Sequence, residues 1–124
     1  MRILVVDDDD AICMTLKMIL ATQKHDVTCV RNGEAAIAAA EGGDFDLALV
    51  DWTLPDIGGP EVMAQIRALS PRTRVCISTG QEAYAVSQAL GESRADAIVT
   101  KPFAVGDLLD TVARLAPEAT TEPA

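Results

Sequence analysis

Residues 47–50 read Leu-Ala-Leu-Val, followed at once by Asp51 and then by a stretch dense in turn formers: Pro55, Asp56, Gly58, Gly59 and Pro60. Four apolar residues in a row, without polar alternation, do not suit a strand with one face in water. They suit a strand of a parallel sheet that is covered on both faces. Pro60 fits the first turn of a helix, where its missing N–H is no loss. Val62, Met63, Ile66 and Leu69 continue that helix at helical spacing until Ser70-Pro71 closes it. A buried strand, an acid at its end, a loop and an amphipathic helix make one β/α unit.

The same unit recurs on both sides. A first strand spans Arg2–Val6, and Asp9 or Asp10 is placed to cap a helix whose stripe is Ile12, Leu16, Ile19 and Leu20. A second strand near residues 27–30 turns at Asn32-Gly33 into an alanine-rich helix that runs to about Glu41 and ends at Gly42 and Gly43. Strand four covers residues 74–78. The alanine-, serine- and glutamine-rich segment from Glu82 to Leu90 is a helix with little to bury. Strand five covers residues 97–99, and Lys101-Pro102 leads to a last helix carrying Val105, Leu108, Leu109, Val112 and Leu115. Residues 1–116 are expected to form one domain, and residues 117–124, acidic and rich in Thr, Pro and Ala, a disordered tail.

Five β/α repeats predict an α/β fold: a doubly wound, five-stranded parallel sheet of order 2-1-3-4-5 with right-handed crossovers and helices on both faces. Ligands of such sheets bind beyond the carboxyl ends of the strands, at the switch point between strands one and three.

Composition narrows the function classes. The 124 residues are enough for one domain that buries roughly two thirds of its unfolded surface. Cys13, Cys29 and Cys76 are odd in number and show no CxxC spacing, so they are read as reduced core thiols of a cytoplasmic protein. The apolar run of residues 3–6 stops at four aspartates, which is unlike a signal peptide, and no stretch approaches membrane-spanning length. A net charge of −9 opposes direct binding to nucleic acid or to an anionic membrane and suits a protein that handles cations or docks on a basic partner.

The strand ends carry the chemistry. Asp7 and Asp8 follow strand one, Asp51 strand three, Thr79 strand four and Lys101 strand five. Folding would bring the three carboxylates within a few ångströms, where repulsion raises their pKa values unless a cation shares the site. Mg²⁺, which takes one or two carboxylates and keeps waters and phosphate as its other ligands, fits best. Mg²⁺ and the Lys101 ammonium would neutralise a transferring phosphoryl group, Thr79 would donate a hydrogen bond to it, and Asp51 would be the nucleophile. The product, an acyl phosphate, is labile and suits signalling. Asp9 and Asp10 are assigned to helix capping, His25 to a surface loop away from this edge, and Trp52 and Tyr84 to packing or partner contact. Gly80 is read as a turn glycine or as room for phosphate to approach the backbone.

These residues resemble the receiver domain of two-component response regulators (CheY-like, flavodoxin-like fold) over nearly the whole chain. The carriers are Ile3-Leu4-Val5-Val6-Asp7-Asp8, then Asp46-Leu47-Ala48-Leu49-Val50-Asp51 with Leu54-Pro55-Asp56, then Ser78-Thr79-Gly80, then Thr100-Lys101-Pro102-Phe103. The resemblance implies that Asp51 takes phosphate from a sensor histidine kinase or a histidine phosphotransfer protein. It implies Mg²⁺ ligation by Asp8, Asp51 and the Thr53 backbone carbonyl, with Asp7 acting largely through water. It further implies a cis peptide before Pro102, phosphate contact by Lys101, and a shift of Thr79 that alters the face read by a downstream protein target. Such a domain catalyses only its own phosphorylation and dephosphorylation.

Two departures stand out. The family usually has an aromatic three residues before the lysine, where this chain has Ile98, so the aromatic half of the switch is expected to be missing. Gly58-Gly59 replaces a common Asp-Gly and is expected to loosen the loop. Thr53 and Gln81, two beyond Asp51 and Thr79, flank the path of hydrolytic water. The rival functions are a pseudo-receiver that binds partners without phosphorylation and a Mg²⁺-dependent aspartyl phosphohydrolase. The second would want an acid two residues after Asp51, where Thr53 stands.

Overall fold

A computed structural model describes residues 1–80, 83–91 and 94–115, without the side chains of Ala83, Tyr84 and Ser87. Gln81, the Tyr84 side chain and residues 117–124 therefore lie outside the described residues.

Strands and helices alternate strictly: β1 (Arg2–Val6), α1 (Asp10–Ala21), β2 (Asp26–Val30), α2 (Gly33–Gly42), β3 (Leu47–Asp51), α3 (Gly59–Leu69), β4 (Arg74–Thr79), α4 (Ala83–Leu90), β5 (Ala97–Thr100) and α5 (Val105–Arg114). All strand pairings are parallel, and the order is β2-β1-β3-β4-β5, as the alternation predicts. Asp51 and Thr79 are the last residues of their strands rather than the first loop residues, because the ladder pairs Asp51 with Ser78 and Thr79 with Thr100.

The continuous apolar runs are buried on two sides. Leu47 and Leu49 join Ile3, Val5, Leu16, Leu20, Leu108 and Val112 under α1 and α5. Ala48 and Val50 join Leu4, Val6, Val62, Met63, Ile66 and Val86 under α2, α3 and α4. Period-two alternation along one strand thus feeds two separate cores, and every residue of β3 is buried. Even α4, which has the least to bury by sequence, contributes Val86 and Leu90. Full burial of each such side chain contributes ~2 kcal/mol, and this packing holds the strand ends in register.

Helix starts lie at the same edge as strand ends, and those of α1 and α2 are capped by side chains. Asp9 caps α1 by accepting from the backbone N–H groups of Ala11 (2.9 Å) and Ile12 (3.4 Å). Asn32 caps α2 through the N–H of Ala35 at 2.8 Å. Asp10, in the first turn of α1, pairs with Arg31. No helix among the described residues is long and apolar enough to cross a membrane.

Candidate functional site

Asp7 follows β1 and extends its ladder, its N–H donating to the Val30 carbonyl at 3.1 Å. That pairing holds the side chain inside the sheet edge, where the residue is only 1% exposed. One carboxylate oxygen accepts from the Asp9 N–H at 3.0 Å, and the other accepts from Lys101 Nζ at 2.7 Å. Asp8, one residue on, is exposed.

Asp51 closes the fully buried β3. Its Oδ1 accepts the Thr53 N–H at 3.3 Å, and its Oδ2 lies 3.3 Å from Lys101 Nζ. Thr79 is buried at the end of β4, and its carbonyl accepts the Lys101 N–H at 2.7 Å, which aims the lysine back across the sheet toward β3 and β1. The Lys101–Pro102 peptide is cis. Ligand oxygens of Asp7, Asp8 and Asp51 lie within 4.8 Å of one another.

Electrostatics follow from this crowding. Burial, and next the neighbouring Asp7 charge, raise the Asp51 pKa above its ordinary value of 3.8, and Lys101 only partly counters them. Burial alone would lower Lys101, but its hydrogen bond to Asp7 and the charge of Asp51 outweigh that and leave it raised above 10.5. Three carboxylates face one ammonium, so the cluster carries surplus negative charge. The available donors are hard oxygens, two on buried residues and one open to water. This set fits a hard divalent cation that retains part of its hydration shell.

The five residues expected from the strand ends, Asp7, Asp8, Asp51, Thr79 and Lys101, do converge on one edge. Thr53 lies beside them, exposed, with its N–H on Asp51. His25 lies before β2, away from the site, and touches the amino terminus (3.0 Å). Trp52 is half-buried and packs against the core under α2–α4, as does Ile98. Among the described residues, a Cβ at Gly80 would meet nothing within 4 Å.

Three features escape a reading by strand ends alone. Asp7 anchors Lys101 directly as well as belonging to the acid cluster. Asp56 crosses from the β3–α3 loop to the start of α2, accepting from the N–H groups of Gly33 (2.8 Å) and Glu34 (3.0 Å); these bonds hold its carboxyl below the ordinary range. The uncapped donors of an Asn-Gly-Glu helix start were the available signal. The third is Gly59, at the start of α3. A Cβ there would stand 2.6 Å from the Asp51 carbonyl oxygen, so Gly59 lets α3 seat tightly on the acceptor strand.

The model of the response regulator receiver domain family matches residues 3–113. The chain belongs to that family. This receiver domain is 37% identical over 107 residues to the transcriptional regulatory protein TcrA of Mycobacterium tuberculosis, an alignment covering 86% of this chain and 42% of TcrA. It is 32% identical over 120 residues to the sensory/regulatory protein RpfC of Xanthomonas campestris, covering 94% of this chain and 16% of RpfC. The chain thus spans less than half the length of these curated relatives. Among solved structures, a CheY-like receiver domain protein from Methanospirillum hungatei superposes with a TM-score of 0.85 at 34% identity, covering 91% of this chain and 90% of that one. The response regulator TrrA of Thermotoga maritima, solved in complex with Mg²⁺–BeF, gives a TM-score of 0.82 at 32% identity, covering 92% and 97%. Receiver domains are signalling modules of two-component systems that work with histidine kinases, and phosphorylation and Mg²⁺ binding are typical of the family.

Proposed function

We propose that residues 1–116 act as a cytoplasmic phosphoacceptor domain in which Asp51 receives a phosphoryl group from a phosphohistidine of a sensor kinase or phosphotransfer protein. The observation that carries this reading is the single ammonium of Lys101 bridging Asp7 (2.7 Å) and Asp51 (3.3 Å) at the edge where Asp8 also stands. An Asp51 oxygen forms the new O–P bond as the P–N bond to the donor histidine breaks. Lys101 would follow the charge onto the phosphoryl oxygens, and the Thr79 hydroxyl would donate to one of them. Asp8, Asp51 and the Thr53 carbonyl would hold Mg²⁺, with Asp7 acting through water; when bound, the ion supplies positive charge to the transferring group. TrrA, a similar response regulator solved in complex with Mg²⁺–BeF, supports Mg²⁺ as the ion.

The domain turns over no external substrate in this reading. Position 53 is a threonine whose N–H is already bonded to Asp51, so the acid that a phosphohydrolase would use to protonate its leaving group is not there. The modified state instead changes the affinity of a downstream protein target. With acetyl phosphate and Mg²⁺, intact-mass spectra should show one added phosphate that Asp51→Asn abolishes, and Trp52 fluorescence should report Mg²⁺ binding. Absence of any adduct in the wild type would sink the reading in favour of a pseudo-receiver, whose partner affinity Asp51→Asn would leave unchanged.

A further inference from the structure

Cys13 on α1 and Cys29 on β2 are read from sequence as separate core thiols, yet the fold brings them together. Cys13 is 2% exposed, whereas Cys29 is only half-buried, on the outer strand of the sheet. Cys29 Sγ donates to the Cys13 carbonyl at 3.5 Å. Both line a cleft of about 260 Å³ whose rim carries Lys17, Arg31 and Asp10. Cys76, sealed in β4, has no such access and serves as an internal control.

We propose that Cys13 and Cys29 form an oxidation site that closes to an intramolecular disulfide when a peroxide-class oxidant enters this cleft. Cys29 sulfur attacks the peroxide: an S–O bond forms, the O–O bond breaks, and the departing oxygen leaves as water with the thiol proton. Cys13 sulfur then attacks the resulting sulfenic acid, forming the S–S bond and expelling a second water that carries the Cys13 proton. Two thiols lose two electrons and the peroxide gains them.

The position gives the bond a consequence. Cys13 Sγ donates to the Asp7 carbonyl at 3.4 Å, and the disulfide removes that donor while tying the first turns of α1 to β2. Asp7 holds Lys101, so the oxidised form should bind Mg²⁺ several-fold more weakly. This regulatory consequence rests on the metal-site reading above; the disulfide does not.

Diamide, whose N=N bond takes up the two hydrogens, is the suitable probe, because exposed Met14 and Met18 would take oxygen from peroxide and obscure the mass. The treated wild-type chain should lose two hydrogens, map to a Cys13–Cys29 linked peptide, leave Cys76 alkylatable after unfolding, and recover with dithiothreitol. Cys29→Ser should block the bond. With Cys13→Ala, brief peroxide treatment should leave a Cys29 sulfenic acid that dimedone traps. Three fully alkylatable thiols in the treated wild type, or a bond between other partners or between chains, overturns the site. An oxidised form with unchanged Mg²⁺ affinity by Trp52 fluorescence overturns the consequence alone, whereas a reduced form that never responds to Mg²⁺ counts against the metal-site reading instead.

Discussion

The two edges of the sheet treat charge in opposite ways. At the amino edge, Arg67 faces Asp96 at 3.3 Å, Arg72 faces Asp44 at 2.8 Å and Asp46 at 3.2 Å, and Arg2 stands 3.9 Å from Asp26, mostly in water. Each of these three cations has an acid, and the pairs are at least partly exposed to solvent. At the carboxyl edge, buried Asp7 and Asp51 share one lysine with exposed Asp8 close by. One edge is neutralised and contributes little energy; the other keeps an unbalanced, half-dry charge that only a ligand can complete. Function has been concentrated where stability is sacrificed.

Substitutions at the two edges should therefore differ in size and sign. The largest effect belongs to Lys101→Met, which keeps the stem but strands two buried carboxylates. A loss of about 2 kcal/mol in urea unfolding is expected, below the ~3–5 kcal/mol of a fully buried pair because the lysine is partly wet. Mg²⁺ should restore part of it. The wild-type contribution of this lysine is fully present below its ordinary pKa of 10.5 and disappears as pH rises through its higher folded value.

Asp51→Asn should act in the opposite direction, stabilising the metal-free domain by ~1 kcal/mol and raising its thermal midpoint by a few degrees. Because the folded Asp51 pKa lies above 3.8, the folded chain holds more protons than the unfolded one just above that pH, and stability falls as pH rises through the window. The Asn variant should lack that slope in pH-dependent unfolding. If instead it destabilises, the carboxyl edge is no more strained than the amino edge.

Arg67→Ala tests the other side. Asp96 keeps its bond from the Val75 N–H at 2.7 Å, so calorimetry should show a loss of only ~0.5 kcal/mol, smaller still in high salt. The smallest effect is expected for Gly58→Asp. Gly58 sits at the N-cap of α3 with extended backbone and no side-chain cap, and a Cβ there would touch only Pro60 Cδ at 3.7 Å. Capping should add ~0.3 kcal/mol to the thermal stability; a loss would mean that one more acid at this edge outweighs the cap.

Much of this molecule was legible along the chain. Leu47-Ala48-Leu49-Val50 announced a strand buried on both faces, and the observed division of alternate residues between two cores is what such a run implies. Polar residues ending those runs stood out because an aspartate directly after four apolar residues, as at Asp7 and Asp51, has no packing reason to be there. Strand ends therefore identified the site, while ladder pairing moved Asp51 and Thr79 inside their strands.

By itself, then, the sequence determined the five β/α units, their strand order and the edge at which acids, hydroxyl and amine collect, because periodicity and turn chemistry are local properties. Only the tertiary structure decided which of those groups touch. Lys101 reaches Asp7 across 94 positions, Asp56 reaches Gly33 across 23, and Cys29 meets Cys13 across 16. A contact between distant residues depends on the packing distance and register of whole elements, and no short window of sequence carries that information.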